Sequence, residues 1–223
     1  MRKFTPETPD NCKKTASSLI EEINALPSLS ISELDPKKSL LVIVDIVNGF
    51  VREGAMASPL VEDIIPPVVS LMEKCGTKKI PSVAFADCHA ADCAEFSSFP
   101  PHCIKNTSES EIVDEIKKAG GYTLIEKNST NGFHEDLFID YLEGKPGIDT
   151  FIVTGDCTDI CVLQFCLTLK TRYTAQNKNI DIIIPVNCVE TYDAPWHDAD
   201  FMNIAAYKLM KDSGIKFVSE IVD

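Results

Sequence analysis

Apolar and polar positions alternate along this chain in blocks rather than residue by residue. Leu40 to Ile46 (LLVIVDI) is apolar at nearly every position, as a strand covered on both faces must be. Strand-like runs return over Pro81–Ala86, Tyr122–Glu126, Asp149–Gly155, Ile180–Val186 and Ile215–Val218. Stretches with helical spacing separate them, at Val61–Lys74, Ser108–Lys118, Asp159–Tyr173 and Asp198–Asp212. Pro66 and Pro67 fall near the first turn of the first of these, where proline is tolerated. Strand and helix in turn predict an α/β fold: a single-domain, Rossmann-like three-layer sandwich around a mostly parallel six-stranded sheet. In such sheets function collects beyond the C-terminal ends of the strands. Residues 1–38 stand apart. Cys12–Leu26 can form an amphipathic helix through Leu19, Ile20, Ile23 and Leu26, and Pro27 and Pro36 punctuate the residues after it. The expected division is an N-terminal helical extension, 1–38, packed on a main domain, 39–223.

Charge narrows the class of partner. Lys plus Arg number 21 against 34 Asp plus Glu, a net charge of −13. The electrostatic attraction that dominates binding to nucleic acid or an anionic membrane would be repulsive overall. No apolar run approaches the roughly 18 residues needed to span a bilayer. The opening residues, MRKFTPETPD, lack the apolar core of a secretory signal, so a cytoplasmic location is expected. Nine cysteines, an odd number without framework spacing, then read mostly as free thiols.

A few of those thiols, with acidic and basic neighbours, could carry chemistry. Asp45 sits among apolar residues near a strand end, where burial should raise its pKa unless something pairs with it. Lys127 closes the run YTLIEK ahead of a turn-rich loop. Cys161 falls in VTGDCTDICV, where a strand passes through Gly155 into a helix that Thr158 or Asp159 could cap. A helix N-terminus there would lower the thiol pKa. Cys166, on the apolar face, reads as a structural thiol. Residues 86–103 (ADCHAADCAEFSSFPPHC) gather Asp87, His89, Asp92, Glu95 and His102, including two of the four histidines. Two His and a carboxylate completed by water would make a reasonable metal site. The same span also reads as a structural zinc site through Cys88, Cys93, His102 and Cys103, or as a polar loop with scattered thiols.

Taken in order, these pieces resemble the isochorismatase-like cysteine hydrolases, and their nicotinamidase branch most closely, from about Leu40 onward. The resemblance rests on an Asp ending the first strand, a Lys after the third, and Gly155–Val162 as G-x-x-T-D-x-C-V. Asp87-Cys88-His89 and Phe99-Pro100-Pro101-His102-Cys103 add the branch's D-x-H and F-P-P-H-C elements. The resemblance implies a catalytic triad of Asp45, Lys127 and Cys161 and an oxyanion hole from the N–H groups of Cys157 and Cys161. It also implies a cis Asp156–Cys157 peptide bond and ring-stacking walls at Phe50 and Phe99. One divalent metal is implied on Asp87, His89, His102 and Glu95, with Asp92 the alternative to Glu95; Zn is the first expectation and Fe or Mn the next. The implied reaction converts nicotinamide, or its analogue pyrazinamide, to the acid and ammonia through a cysteine acyl-enzyme, in NAD salvage, and the implied assembly is a homo-oligomer. Two other readings stand beside it: an amidohydrolase of the same superfamily acting on a non-pyridine amide, and a catalytically silent binding protein.

Overall fold

In a computed structural model, which describes residues 3–223, strand and helix alternate as the apolar blocks require. Helix α1 (Thr8–Asn24) comes first, then the two-residue strand β1 (Leu29–Ser30). Strand β2 (Ser39–Val44) leads through α2 (Asn48–Val51), α3 (Pro59–Glu62) and α4 (Ile65–Lys78) to β3 (Ser82–Asp87). Helix α5 (Asp114–Ala119), β4 (Tyr122–Lys127) and α6 (Asp136–Glu143) come next, then β5 (Thr150–Gly155). Helix α7 (Leu163–Ala175), β6 (Asp181–Pro185), α8 (Ala199–Asp212), β7 (Lys216–Val218) and β8 (Ile221–Val222) complete the chain.

Strands β2 to β7 form one six-stranded sheet in the order β4-β3-β2-β5-β6-β7. Every pairing in it is parallel, so the sheet is wholly rather than mostly parallel. Continuous apolar runs satisfy both faces at once because side chains alternate across the pleat. Leu41, Ile43, Ile152 and Ile183 join one core with α4 and α5. Leu40, Val42, Val44, Phe151, Val153, Ile182 and Ile184 join the other with α7 and α8. From β2 the chain winds outward to β3 and β4, then returns to β2's other side with β5. The switch point between β2 and β5 is where open α/β sheets place ligands.

Some boundaries differ from the sequence expectation. The helix expected at Ser108–Lys118 begins at Asp114, because Val113 donates its N–H to the Ile46 carbonyl and Ile112 pairs with Val47. Those residues serve the neighbouring strand end instead of a helix. Helix α6 was not expected; only Phe138 of its eight residues is buried. The first helix runs from Thr8 rather than Cys12 and reaches α8, where Tyr207 donates its hydroxyl to Glu22 at 2.5 Å. Strand β1 pairs in parallel with β8, tying the segment after α1 to the far end of the chain. Residues 1 and 2 of the expected extension lie outside the described part. No described helix is long and apolar enough to cross a membrane.

Candidate active site

Asp45 directly follows β2 and adopts φ +53°, a left-handed conformation that Asp tolerates better than most non-glycine residues. Its carboxyl is fully buried. Lys127, the last residue of β4, is equally buried, with Nζ 2.9 Å from Asp45 Oδ2, 2.7 Å from Asp87 Oδ1 and 3.0 Å from the Ser129 carbonyl. Cys161 Sγ lies 3.9 Å from the same nitrogen. The structure thus brings Asp45, Lys127 and Cys161 around one ammonium group from three separate strand ends.

Burial acts on all three. It pushes the Asp45 carboxyl up to about 6, against the pull of Lys127. Burial opposes the charge on Lys127, but Asp45 and Asp87 outweigh it and hold the amine protonated. For Cys161 burial wins: its thiol is pushed well above the ordinary range, although Lys127 pulls the other way. The lowered thiol pKa expected from the helix N-terminus is therefore corrected. The helix begins with a wide turn, Thr158–Val162, in which Val162 donates to the Cys157 carbonyl five residues back, and Cys161 is enclosed within it. At rest Cys161 is a thiol.

The expected cap is also different. Neither Thr158 nor Asp159 caps this helix. Asp159 instead accepts from Thr191 Oγ1 at 2.6 Å and lies 3.0 Å from His197 Nε2, while His197 Nδ1 faces the Tyr192 carbonyl at 2.9 Å. The Tyr192 ring stacks on His197 at 3.9 Å. This pins the loop after β6 to the turn that carries Cys161, a contact between distant segments that sequence spacing could not show. Asp159→Ala leaves both donors buried without their acceptor. It should cost about 1–3 kcal/mol, a melting temperature lower by several degrees in thermal unfolding followed by circular dichroism.

Cys157 is joined to Asp156 by a cis peptide bond, as the resemblance implied. Among the described residues its N–H has no acceptor, whereas its carbonyl takes the N–H of Ile160 and Val162. Gly155, at φ +110°, lets this segment lie against β2: a Cβ there would sit 1.9 Å from the Val44 carbonyl oxygen.

Beside the Asp–Lys–Cys set lies the second constellation. Asp87, His89, Glu95 and His102 bring one ligand atom each within 4.8 Å of one another. Strand β3 ends at Asp87, and His89 pairs in parallel with Ile104, which carries the 102–105 stretch alongside. His89 Nε2 and His102 Nε2 converge on Asp87 Oδ2 at 2.9 and 3.0 Å, with Glu95 Oε1 3.9 and 3.8 Å from them. The opposite ring nitrogens are already engaged, His102 Nδ1 with the Pro100 carbonyl at 2.8 Å and His89 Nδ1 with Asn128 Oδ1 at 3.0 Å. Such outer contacts fix the tautomer that turns Nε2 toward a metal. His89 Nε2 is buried and, although 2.9 Å from Asp87 Oδ2, is not aligned for a hydrogen bond to any described residue. Two imidazoles and two carboxylates, with one of the imidazole nitrogens making no aligned hydrogen bond, suit a divalent ion.

Asp92 is exposed and outside this group. The Cys-rich alternative is not assembled: Cys88 and Cys103 are buried outside the group, and Cys93 Sγ lies 3.3 Å from the Nδ1 side of His89. Asp87 faces both constellations, one oxygen toward Lys127 and the other toward the histidines. Lys127 and the two imidazoles overcome the effect of its burial and hold its carboxyl well below the usual carboxylate range. Three phenylalanines ring His102, with centroid distances of 5.4 Å to Phe50, 5.6 Å to Phe96 and 6.3 Å to Phe99. Phe96 is an addition to the sequence expectation. Its signal was its place one residue after Glu95, in the same tight turn. Trp196 is 84% exposed.

A parallel sheet with a buried acid, base and thiol at its switch point is the framework of a hydrolase, and relatives specify which. The chain belongs to the isochorismatase domain family, matching it over residues 39–211. Nicotinamidase 1 of Arabidopsis thaliana is 31% identical over 213 residues, covering 81% of this chain and 85% of the relative. The zinc complex of Pyrococcus horikoshii pyrazinamidase superposes with a TM-score of 0.66 at 26% identity, covering 81% of this chain and 98% of that one. N-carbamoylsarcosine amidase from Thermoplasma acidophilum gives a TM-score of 0.69 at 27% identity, covering 83% and 99%.

Proposed function

We propose that this protein is a nicotinamidase, hydrolysing nicotinamide to nicotinate and ammonia. The observation that carries the reading is the shared wall between two constellations: Asp87 links an Asp–Lys–Cys set to a two-His, two-carboxylate cluster. The likeness to a plant nicotinamidase and to a zinc-bound pyrazinamidase supports it.

Asp45 takes the Cys161 proton as sulfur attacks the carboxamide carbon, with Lys127 holding the carboxylate in place. The oxyanion lies against the N–H groups of Cys157 and Cys161. The C–N bond then breaks as Asp45 returns the proton to nitrogen, and ammonia leaves a thioester on Cys161. Asp45 next deprotonates water, which attacks the thioester, releasing nicotinate and restoring the thiol. Asp87, His89, Glu95 and His102 would hold a divalent ion, Zn ahead of Fe or Mn. When bound, that ion supplies a Lewis acid for the pyridine nitrogen and so fixes which ring is accepted. Phe50 and Phe99, joined by Phe96, flank the ring. Pyrazinamide is accepted on the same grounds, and the protein works in the cytosol as a homo-oligomer serving NAD salvage.

A base with a pKa near 6 sets the pH profile. Below it Asp45 is protonated and cannot accept the thiol proton, so kcat/KM should fall about tenfold per pH unit on that side and level off above it. A bound cation nearby favours the carboxylate, so the limb of the metal-loaded enzyme lies at or somewhat below 6. An Asp45→Asn variant should lose this limb together with most of its activity.

The likeness to N-carbamoylsarcosine amidase favours a second reading, an amidase for a different amide. Ammonia release from nicotinamide, measured before chelation, after it and after metal return, separates the two. Activity that disappears and returns supports nicotinamidase. A metal-loaded protein inert toward nicotinamide would favour the other amidase.

A further inference from the structure

Asp156 is a fully buried carboxyl with no part in the proposed acyl transfer. Its N–H bonds the Val44 carbonyl at 3.0 Å. Val44 and Gly155 are register partners, so Asp45 and Asp156 occupy matching positions just beyond the ends of adjacent strands. Asp156 Oδ2 lies 3.8 Å from the Cys157 thiol, and Oδ1 has no partner among the described residues. Burial first, and then the charge of Asp45, push this carboxyl well above the usual carboxylate range.

The orphaned buried polar atoms of the described chain are not scattered. Asp45 Oδ1, Asp156 Oδ1 and Thr158 Oγ1, with Asp45 Oδ2 and His89 Nε2 held only by ion-pair contacts to Lys127 and Asp87, all belong to residues that follow the C-terminal ends of β2, β3 and β5; Ser39 Oγ alone lies elsewhere. A buried polar atom without a partner destabilises a fold, so a group of them in one place points to a ligand that completes them. The thiol proton accounts for Asp45, and the metal for His89. Neither accounts for Asp156.

We infer that Asp156 is a specificity-determining residue, its Oδ1 accepting an N–H of the substrate carboxamide. This rests on the amidase reading. There the carboxamide oxygen belongs to the N–H groups of Cys157 and Cys161, and its nitrogen lies on the other side of the same carbon. Asp156 is bonded directly to Cys157 and so sits at the edge of that oxyanion site. Burial favours the uncharged form of this carboxyl, which offers an acceptor without adding a second negative charge to the site. An ester of the same acid carries no N–H and cannot use the contact.

The test compares kcat/KM for nicotinamide and for methyl nicotinate in wild type, Asp156→Val and Asp156→Asn, with the melting temperature of each. The expected result is an amide-to-ester ratio at least about tenfold lower in Asp156→Val, with the ratio largely rescued by the Asn oxygen in Asp156→Asn. Asp156→Val should also melt higher, because an unpaired buried carboxyl has been removed. An unchanged ratio, equal loss on both substrates, or a lower melting temperature in Asp156→Val would overturn the inference. A wild type that releases no ammonia from nicotinamide would instead overturn the amidase reading, and this inference with it.

Discussion

Replacing Cys161 by alanine is expected to reduce ammonia release from nicotinamide by about four orders of magnitude or more, with the fold unchanged. Cys161 is the thiol held 3.9 Å from Lys127 Nζ and close enough to Asp45 to favour that carboxyl's charged form. No second nucleophile shares this position among the described residues. Cys157, four residues earlier, is turned to Asp156 instead. The change removes one sulfur from a buried site and leaves the Asp45–Lys127 pair intact, so circular dichroism and thermal unfolding should show a folded protein within about 1 kcal/mol of the parent. Undiminished turnover by the alanine variant would refute the mechanism.

Asp87→Asn should damage two functions at once. Asp87 Oδ1 is 2.7 Å from Lys127 Nζ, and Oδ2 is the point on which both histidines converge. Asparagine is similar in shape but carries no charge and has a poorer donor atom for a metal. Metal retention after dialysis, measured by elemental analysis, should weaken by roughly 100-fold or more. Lys127 would also lose one of its two carboxylates, altering the field at Asp45 and Cys161. Excess metal should therefore restore Asp87→Asn only in part. Glu95→Gln, which touches only the cluster, should recover much further under the same conditions. Full recovery of Asp87→Asn by metal alone would show that Asp87 is a ligand and nothing more.

Much of this arrangement was legible in the sequence because a parallel sheet covered on both faces demands continuous apolar runs, and LLVIVDI and DTFIVTG, short and rich in β-branched residues, supply them. Asp45 and Lys127 stood out as charged residues where strand runs end, and Cys161 as a thiol near the start of the helix that follows one. What stayed hidden depends on contacts between distant segments. The pairing of β1 with β8 rests on two residues on each side, too few to leave a pattern. Ile112 and Val113 continue an apparent helix in sequence yet bond to the segment after β2. Asp159 looked like a cap because capping is local, whereas its partners Thr191 and His197 lie beyond β6. The Cys161 thiol was misjudged for a related reason. Helix position is visible in sequence, but the burial that outweighs it is a property of the folded chain.

The most direct test is ammonia release from nicotinamide and from benzamide, which lacks the ring nitrogen, by the metal-loaded and metal-stripped protein. The account predicts strong preference for nicotinamide when metal is present, with activity and preference lost together on stripping and restored together on return. Equal turnover of benzamide, or nicotinamide turnover indifferent to the metal, would contradict it.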